Sequence, residues 1–136
     1  MTNQEIVRAY IGAFEARDMD RIIAMTAPDI VYHNIPMEIV RGREAFKEVQ
    51  APFIGRCEEI RWEILRLAEA EDGAVLTERV DHFFMTRNRR ISVRVMGIFE
   101  LRDGLVAAWR DYFDLAEFNA QSAKSVGSAP VTPSRK

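Results

Sequence analysis

Apolar positions near the start of the chain recur at helical spacing. Ile6, Val7, Tyr10, Ile11 and Phe14 share one side of a helix opened by Thr2 and Glu5, a T-x-x-E capping box, and closed near Arg17. Asp18 can cap a second, shorter helix carrying Ile22, Ile23 and Met25, which must stop before Pro28 because the residue preceding a proline avoids helical geometry. Asp29 to His33 reads as a short strand. From Gly42 to Gln50 the composition is helical again, with Ala45, Phe46 and Val49 on one side and Pro52 as the expected end.

Beyond Glu59 the period changes to two. Ile60, Trp62 and Ile64 alternate with charged residues, Asp72-Gly73 supplies a turn, and strands follow over about 74–85, 91–101 and 105–113, the last two joined by Asp103-Gly104. The basic cluster Arg87, Asn88, Arg89 and Arg90 is expected at a solvated hairpin tip. These strands predict a meander, with a last helix over 115–123. Helices first and a long antiparallel sheet afterwards indicate an α+β domain whose helices cover one face. Strong bending would turn such a sheet into a cone around an interior pocket. Residues 1–123 are expected to form one domain, and the Ser, Pro and Ala-rich residues 124–136 a flexible tail.

Alternation also assigns faces. Val75, Thr77, Arg79, Asp81, Phe83 and Met85 point one way; Leu105, Ala107, Trp109, Asp111 and Phe113 share the more apolar face of the last strand. Arg79, Asp81 and Asp111 are therefore charges among apolar neighbours. Isolated buried carboxylates are costly, so both aspartates need a cation or a functional reason. A guanidinium between two carboxylates can hydrogen-bond both, and one positive charge for two negative ones favours retention of a proton, separating an acid from a base. A purely structural ion network, or a register that turns these groups to water, remains open at this point. Tyr32 and Asn34, two residues apart in VYHNIPM, add a phenol and a carboxamide able to orient a water molecule. His33 and His82 fall on the opposite parity and carry no assigned chemistry.

Composition narrows the class. The 136 residues are 48% hydrophobic and 29% charged, a globular mixture, and the formal net charge of −2 leaves no basic excess for a phosphate backbone, which argues against nucleic acid. Cys57 is the single cysteine, so no intrachain disulfide can form. No HExxH, CxxC or carboxylate cluster suggests a metal, and no apolar run approaches membrane-spanning length. A soluble cytoplasmic protein is the expectation.

The ordered set Y-x-N in VYHNIPM, R-x-D in TERVDHF and the late Asp in AWRDYFD resembles the limonene-1,2-epoxide hydrolase family, from the first helix to about Phe118. The resemblance implies a cone-shaped fold of the nuclear-transport-factor-2-like, SnoaL-like type, a homodimer, and no metal or organic cofactor. It implies Asp111 as the base that takes a proton from water, Tyr32 and Asn34 as holders of that water, Asp81 as the acid that protonates the opening epoxide oxygen, and Arg79 as the bridge. Phe83, Met85, Trp109 and Phe113 would form the pocket wall with Ile35 and Met37 at the rim, suited to a small apolar or aromatic epoxide. Trp62, Met96, Ile98 and Tyr112 are candidates for a dimer face on the sheet's other side. SnoaL-like polyketide cyclases, ketosteroid-isomerase-like enzymes and non-catalytic ligand-binding modules are the competing functions on the same fold.

Overall fold

The computed structural model describes residues 1–122; the expected tail at 124–136 lies outside the described residues. The elements run α1 (Asn3–Glu15), α2 (Met19–Ala24), β1 (Thr26–Asn34), β2 (Val40–Arg41), α3 (Arg43–Gly55), β3 (Cys57–Glu69), β4 (Val75–Met85), β5 (Arg89–Arg102), β6 (Leu105–Tyr112) and α4 (Leu115–Ser122). The capping box is formed on both sides, with the Thr2 hydroxyl accepting from the Glu5 N–H and the Glu5 carboxylate accepting from the Thr2 N–H. The α1 face anticipated from spacing is the buried one.

The six strands lie in the order β2-β1-β6-β5-β4-β3. Strands β3 to β6 form the expected meander, but β1 enters beside β6 and runs parallel to it. This overturns the expected cone-shaped, curved antiparallel sheet. The sheet is mixed, open at β2 and β3, and not strongly curled. The physical reason lies in the connections: α2 delivers the chain to the free edge of β6, and β2 then pairs on the outer side of β1. Enclosure comes from helices α1, α3 and α4 laid against one sheet face.

Pro52 does not end α3, which continues through it to Gly55. Proline lacks the N–H that would bond the Glu48 carbonyl, and Glu48 is on the exposed side of the helix. The buried stripe of α3 is Phe46, Gln50 and Ile54, whereas Val49 is 44% exposed. At the β5–β6 turn, Asp103 and Gly104 both have positive φ, 53° and 77°, the backbone that a tight two-residue hairpin requires. Cys57 is buried, and burial pushes its thiol up to about 11. Among the described residues no helix is long and apolar enough to cross a membrane.

The core joins α1 to the sheet through aromatic rings. Phe14 stacks on Trp62 at 4.6 Å and meets Trp109 edge-on at 5.3 Å. A buried relay ties α1, α2 and β1 together. Thr26 donates to the Ile22 carbonyl at 2.7 Å, which leaves its oxygen to accept from the Tyr10 hydroxyl at 2.8 Å. Thr26→Val removes both links and strands the Tyr10 hydroxyl. We expect a loss of about 1–3 kcal/mol in urea unfolding, partly recovered by adding Tyr10→Phe, because removing both partners spares the cost of a buried orphan.

Candidate active site

Burial alternates without a break along β4. Val75, Thr77, Arg79, Asp81 and Phe83 are buried, and the residues between them are not. Trp109 and Asp111 are buried on the same side of the sheet from β6. The two strands are not neighbours, because β5 lies between them, so Arg79 must reach across two strand spacings, about 9–10 Å. Gly97 makes this possible. It pairs with Thr77 on one side and Asp111 on the other, and a Cβ there would lie 2.4 Å from both Arg79 Nη1 and Asp111 Oδ1. The guanidinium occupies the space a side chain would need.

Arg79 is fully committed to this neighbourhood. Its Nε and Nη2 donate to the two oxygens of Asp81, each at 2.9 Å, and Nη2 also donates to Asp111 Oδ2 at 2.9 Å. Nη1 donates to Thr77 Oγ1 at 2.9 Å. The guanidinium lies 5.2 Å from the Trp62 ring and 5.8 Å from the Phe99 ring, where aromatic faces support a cation. Trp109 Nε1 donates to Asp111 Oδ1 at 2.7 Å. Exposure is only 1% for Arg79, 4% for Asp81 and 5% for Asp111, so water does little to screen the cluster.

Burial works against the charge on Arg79, yet Asp111 and Asp81 together hold the guanidinium more firmly protonated than usual. Asp81 is pushed up to about 6, chiefly by burial, against the pull of Arg79 and with the help of the neighbouring Asp111 charge. One cation and two carboxyl groups thus form a unit in which Asp81 holds its proton to a higher pH than an ordinary carboxyl group, up to about 6.

The parallel pairing of β1 with β6 completes the site. Tyr32 sits beside Trp109 and Asn34 beside Asp111, so the Y-x-N pair lines up with W-x-D one strand away. The Tyr32 ring is 4.8 Å from the Trp109 ring. Burial, followed by the Asp111 charge, raises the Tyr32 pKa well above the phenol's ordinary value, so the hydroxyl keeps its proton. Tyr32, Asn34, Asp81 and Asp111 all line one cavity of about 730 Å³.

Phe83, Met85, Trp109, Phe113 and Met37 also line this cavity. Among the described residues Ile35 does not; its backbone N–H instead donates to the Asp111 carbonyl at 2.9 Å. Trp62, expected on the far face, is a correction. It is 6% exposed and lines the cavity, because it pairs with Asp81 across β3 and β4 and so shares that residue's side. The alternation Ile60, Trp62, Ile64 already carries Trp62 to the inner face, since these three pair with Phe83, Asp81 and Arg79 in an unbroken register. Arg89 departs from the solvated hairpin tip: it is half-buried, lines the cavity, and has Nε and Nη1 without partners among the described residues. His82 lies outside the cavity and bonds Ser92 at 2.8 Å, while His33 bonds the Met37 carbonyl at 2.9 Å. Spacing gave no role in the site to Thr77, Gly97 or Gln50. The signal for Gln50 was its position four residues after Phe46, on the same helix face. No group of three or more His, Cys, Asp or Glu side chains among the described residues is arranged to hold a metal ion.

Residues 1–124 match the profile of the limonene-1,2-epoxide hydrolase catalytic domain. The chain belongs to the limonene-1,2-epoxide hydrolase family. It is 33% identical over 110 residues to the epoxide hydrolase EphG of Mycobacterium tuberculosis, an alignment covering 80% of this chain and 71% of that protein. Among solved structures, an M. tuberculosis epoxide hydrolase of limonene-1,2-epoxide hydrolase type superposes with a TM-score of 0.76 at 30% identity, over 88% of each chain. The epoxide hydrolase/cyclase-like enzyme SalBIII, involved in pyran ring formation in the polyether salinomycin, shares the fold at 19% identity, with a TM-score of 0.74 and coverage of 85% and 92%.

In this member of the limonene-1,2-epoxide hydrolase family, the stability of the cluster should hinge on its cation. Arg79→Met leaves two buried carboxyl groups uncompensated, and urea unfolding at pH 7 should show a loss of about 3–5 kcal/mol. The deficit relative to the parent should shrink as acidification protonates those groups.

Proposed function

We propose that this chain is a cofactor-independent epoxide hydrolase that adds water to a small apolar epoxide and releases a vicinal diol. The observation that carries the proposal is the buried Asp81–Arg79–Asp111 cluster facing a cavity whose remaining wall is largely apolar. Asp111 accepts bonds at both oxygens, from Arg79 and Trp109, which suits a carboxylate acting as base. Asn34 and Tyr32 beside it hold the water. Asp81, with its raised affinity for a proton, is the acid.

The step is concerted. Asp111 removes a proton from water as the water oxygen bonds to one epoxide carbon. The bond from that carbon to the ring oxygen breaks, and Asp81 protonates the departing oxygen. No covalent intermediate with the protein forms. Asp111 finishes protonated and Asp81 ionised, so the next cycle requires net return of one proton from the first to the second. Arg79 Nη2, bonded to both carboxylates, keeps the two groups at a fixed separation throughout.

Phe83, Met85, Trp109, Phe113 and Met37 supply the apolar surface for the substrate body, with Ile35 outside this set. The catalytic unit is one domain over residues 1–123. A homodimer completes the proposal, with Met96 and Tyr112, paired across β5 and β6 and each 48% exposed, as contact candidates. A cytoplasmic setting is consistent with the single cysteine.

Turnover of an epoxide panel in oxygen-18 water should place one labelled oxygen in the diol. Asp81→Asn and Asp111→Asn should each lower kcat by at least about 10²-fold while circular dichroism remains native. Absence of diol across the panel, together with enolisation of a ketone, would point to carbon-acid chemistry instead.

The pH profile tests the acid separately. Because Asp81 acts in its protonated form, and that form declines as pH rises through about 6, kcat/KM should fall on the alkaline side of that value. A flat alkaline limb up to pH 9 would remove Asp81 from the acid role.

A further inference from the structure

The water site has a fourth wall. Phe46 and Gln50 are one turn apart on α3, and both are buried against the sheet. Phe46 meets the Tyr32 ring edge-on at 5.3 Å, which fixes this helix face over the phenol. Gln50 is 7% exposed and lines the same cavity as Tyr32, Asn34 and Asp111. Its Nε2 is buried with no hydrogen-bond partner among the described residues. A buried donor of this kind is rare in a folded protein and calls for an acceptor within reach. The carboxamides of Gln50 and Asn34 both act on the Tyr32 hydroxyl, in the direction that a donor to its oxygen would produce.

A water molecule has two protons and two lone pairs. If Asp111 and the Asn34 carbonyl accept the protons, one lone pair must be held and the other left to attack carbon. Tyr32 can hold a lone pair only by donating its single proton to it. The phenol does so reliably when its own oxygen is already occupied by another donor.

We propose that Gln50 is a positioning residue: its Nε2–H engages the Tyr32 oxygen and thereby commits the phenol proton to the attacking water. Gln50 acts through Tyr32 and touches neither the epoxide nor the reacting atoms. The proposal rests on epoxide hydrolysis being the reaction. It also accounts for a polar residue in the buried stripe of a helix that packs on the core.

The test is a double-mutant cycle in the oxygen-18 assay. Gln50→Met keeps the length and removes the donor. It should lower kcat about 10-fold or more with KM within about twofold, and change kcat by less than about twofold when Tyr32→Phe is already present. Gln50→Glu keeps the shape and, assayed at a pH where its carboxylate is ionised, offers only acceptors, which draw the phenol proton away from water, so there it should lose at least as much. Thermal melts confirm folding, and should Gln50→Met fail to fold, Gln50→Glu carries the same comparison. Equal losses with and without the Tyr32 hydroxyl, full activity in Gln50→Met, or full activity in Gln50→Glu overturns the positioning role while hydrolysis by the parent leaves the reaction intact. Absence of labelled diol from the parent overturns both.

Discussion

A single guanidinium holds this site together. Arg79 is fully buried, a condition tolerated only when the charge is matched and every donor has somewhere to go. Asp81 takes two of its bonds, Asp111 one and Thr77 another, while Trp62 and Phe99 present ring faces to the cation. The demand spreads outward. Gly97 must lack a side chain so that Arg79 can cross β5, and Trp109 must turn its indole N–H toward the free oxygen of Asp111. The aromatic packing of α1 and the ion cluster are one structure, because Trp62 and Trp109 belong to both.

The parallel entry of β1 is the second requirement. An antiparallel neighbour could bring a side chain to Asp111, but the chain would then have to approach from the opposite end of the sheet. By running parallel to β6, β1 brings Tyr32 and Asn34 into step with Trp109 and Asp111. It continues beyond the sheet with Ile35 donating to the Asp111 carbonyl, which pins the backbone of that aspartate as well as its carboxylate. The cavity follows from this arrangement without strong curvature: an apolar sheet face with a polar strip down its middle is roofed by three helices.

The legible parts were those governed by local periodicity. In β4, strict alternation placed Arg79 and Asp81 together on the side that the structure buries. Failures arose elsewhere. Trp62 was placed on the far face against the alternation of its own strand; its pairing with Asp81 puts it with Ile60 on the inner side. The expected helix face of Ala45, Phe46 and Val49 left out Gln50, which completes the Phe46 face, while Val49 is largely exposed. The strand order was out of reach because whether β1 joins β6 in parallel is decided by contacts such as Tyr32 with Trp109, 77 residues apart in sequence. The tail assignment falls outside the described residues.

The apolar wall has an electrostatic role beyond holding a greasy substrate. With both carboxyl groups ionised the cluster carries one net negative charge, and uptake of a single proton makes it neutral. Water in the cavity stabilises the charged form; an apolar molecule that displaces the water withdraws that support and favours the neutral one. Burial is already the largest influence raising Asp81, so closer contact with an apolar occupant pushes further in the same direction. Occupation of the cavity by an apolar epoxide and loading of the acid with its proton are thus coupled through one desolvation. This explains why a carboxylic acid gripped by an arginine, an arrangement that by itself favours the ionised form, can still hold a proton to give.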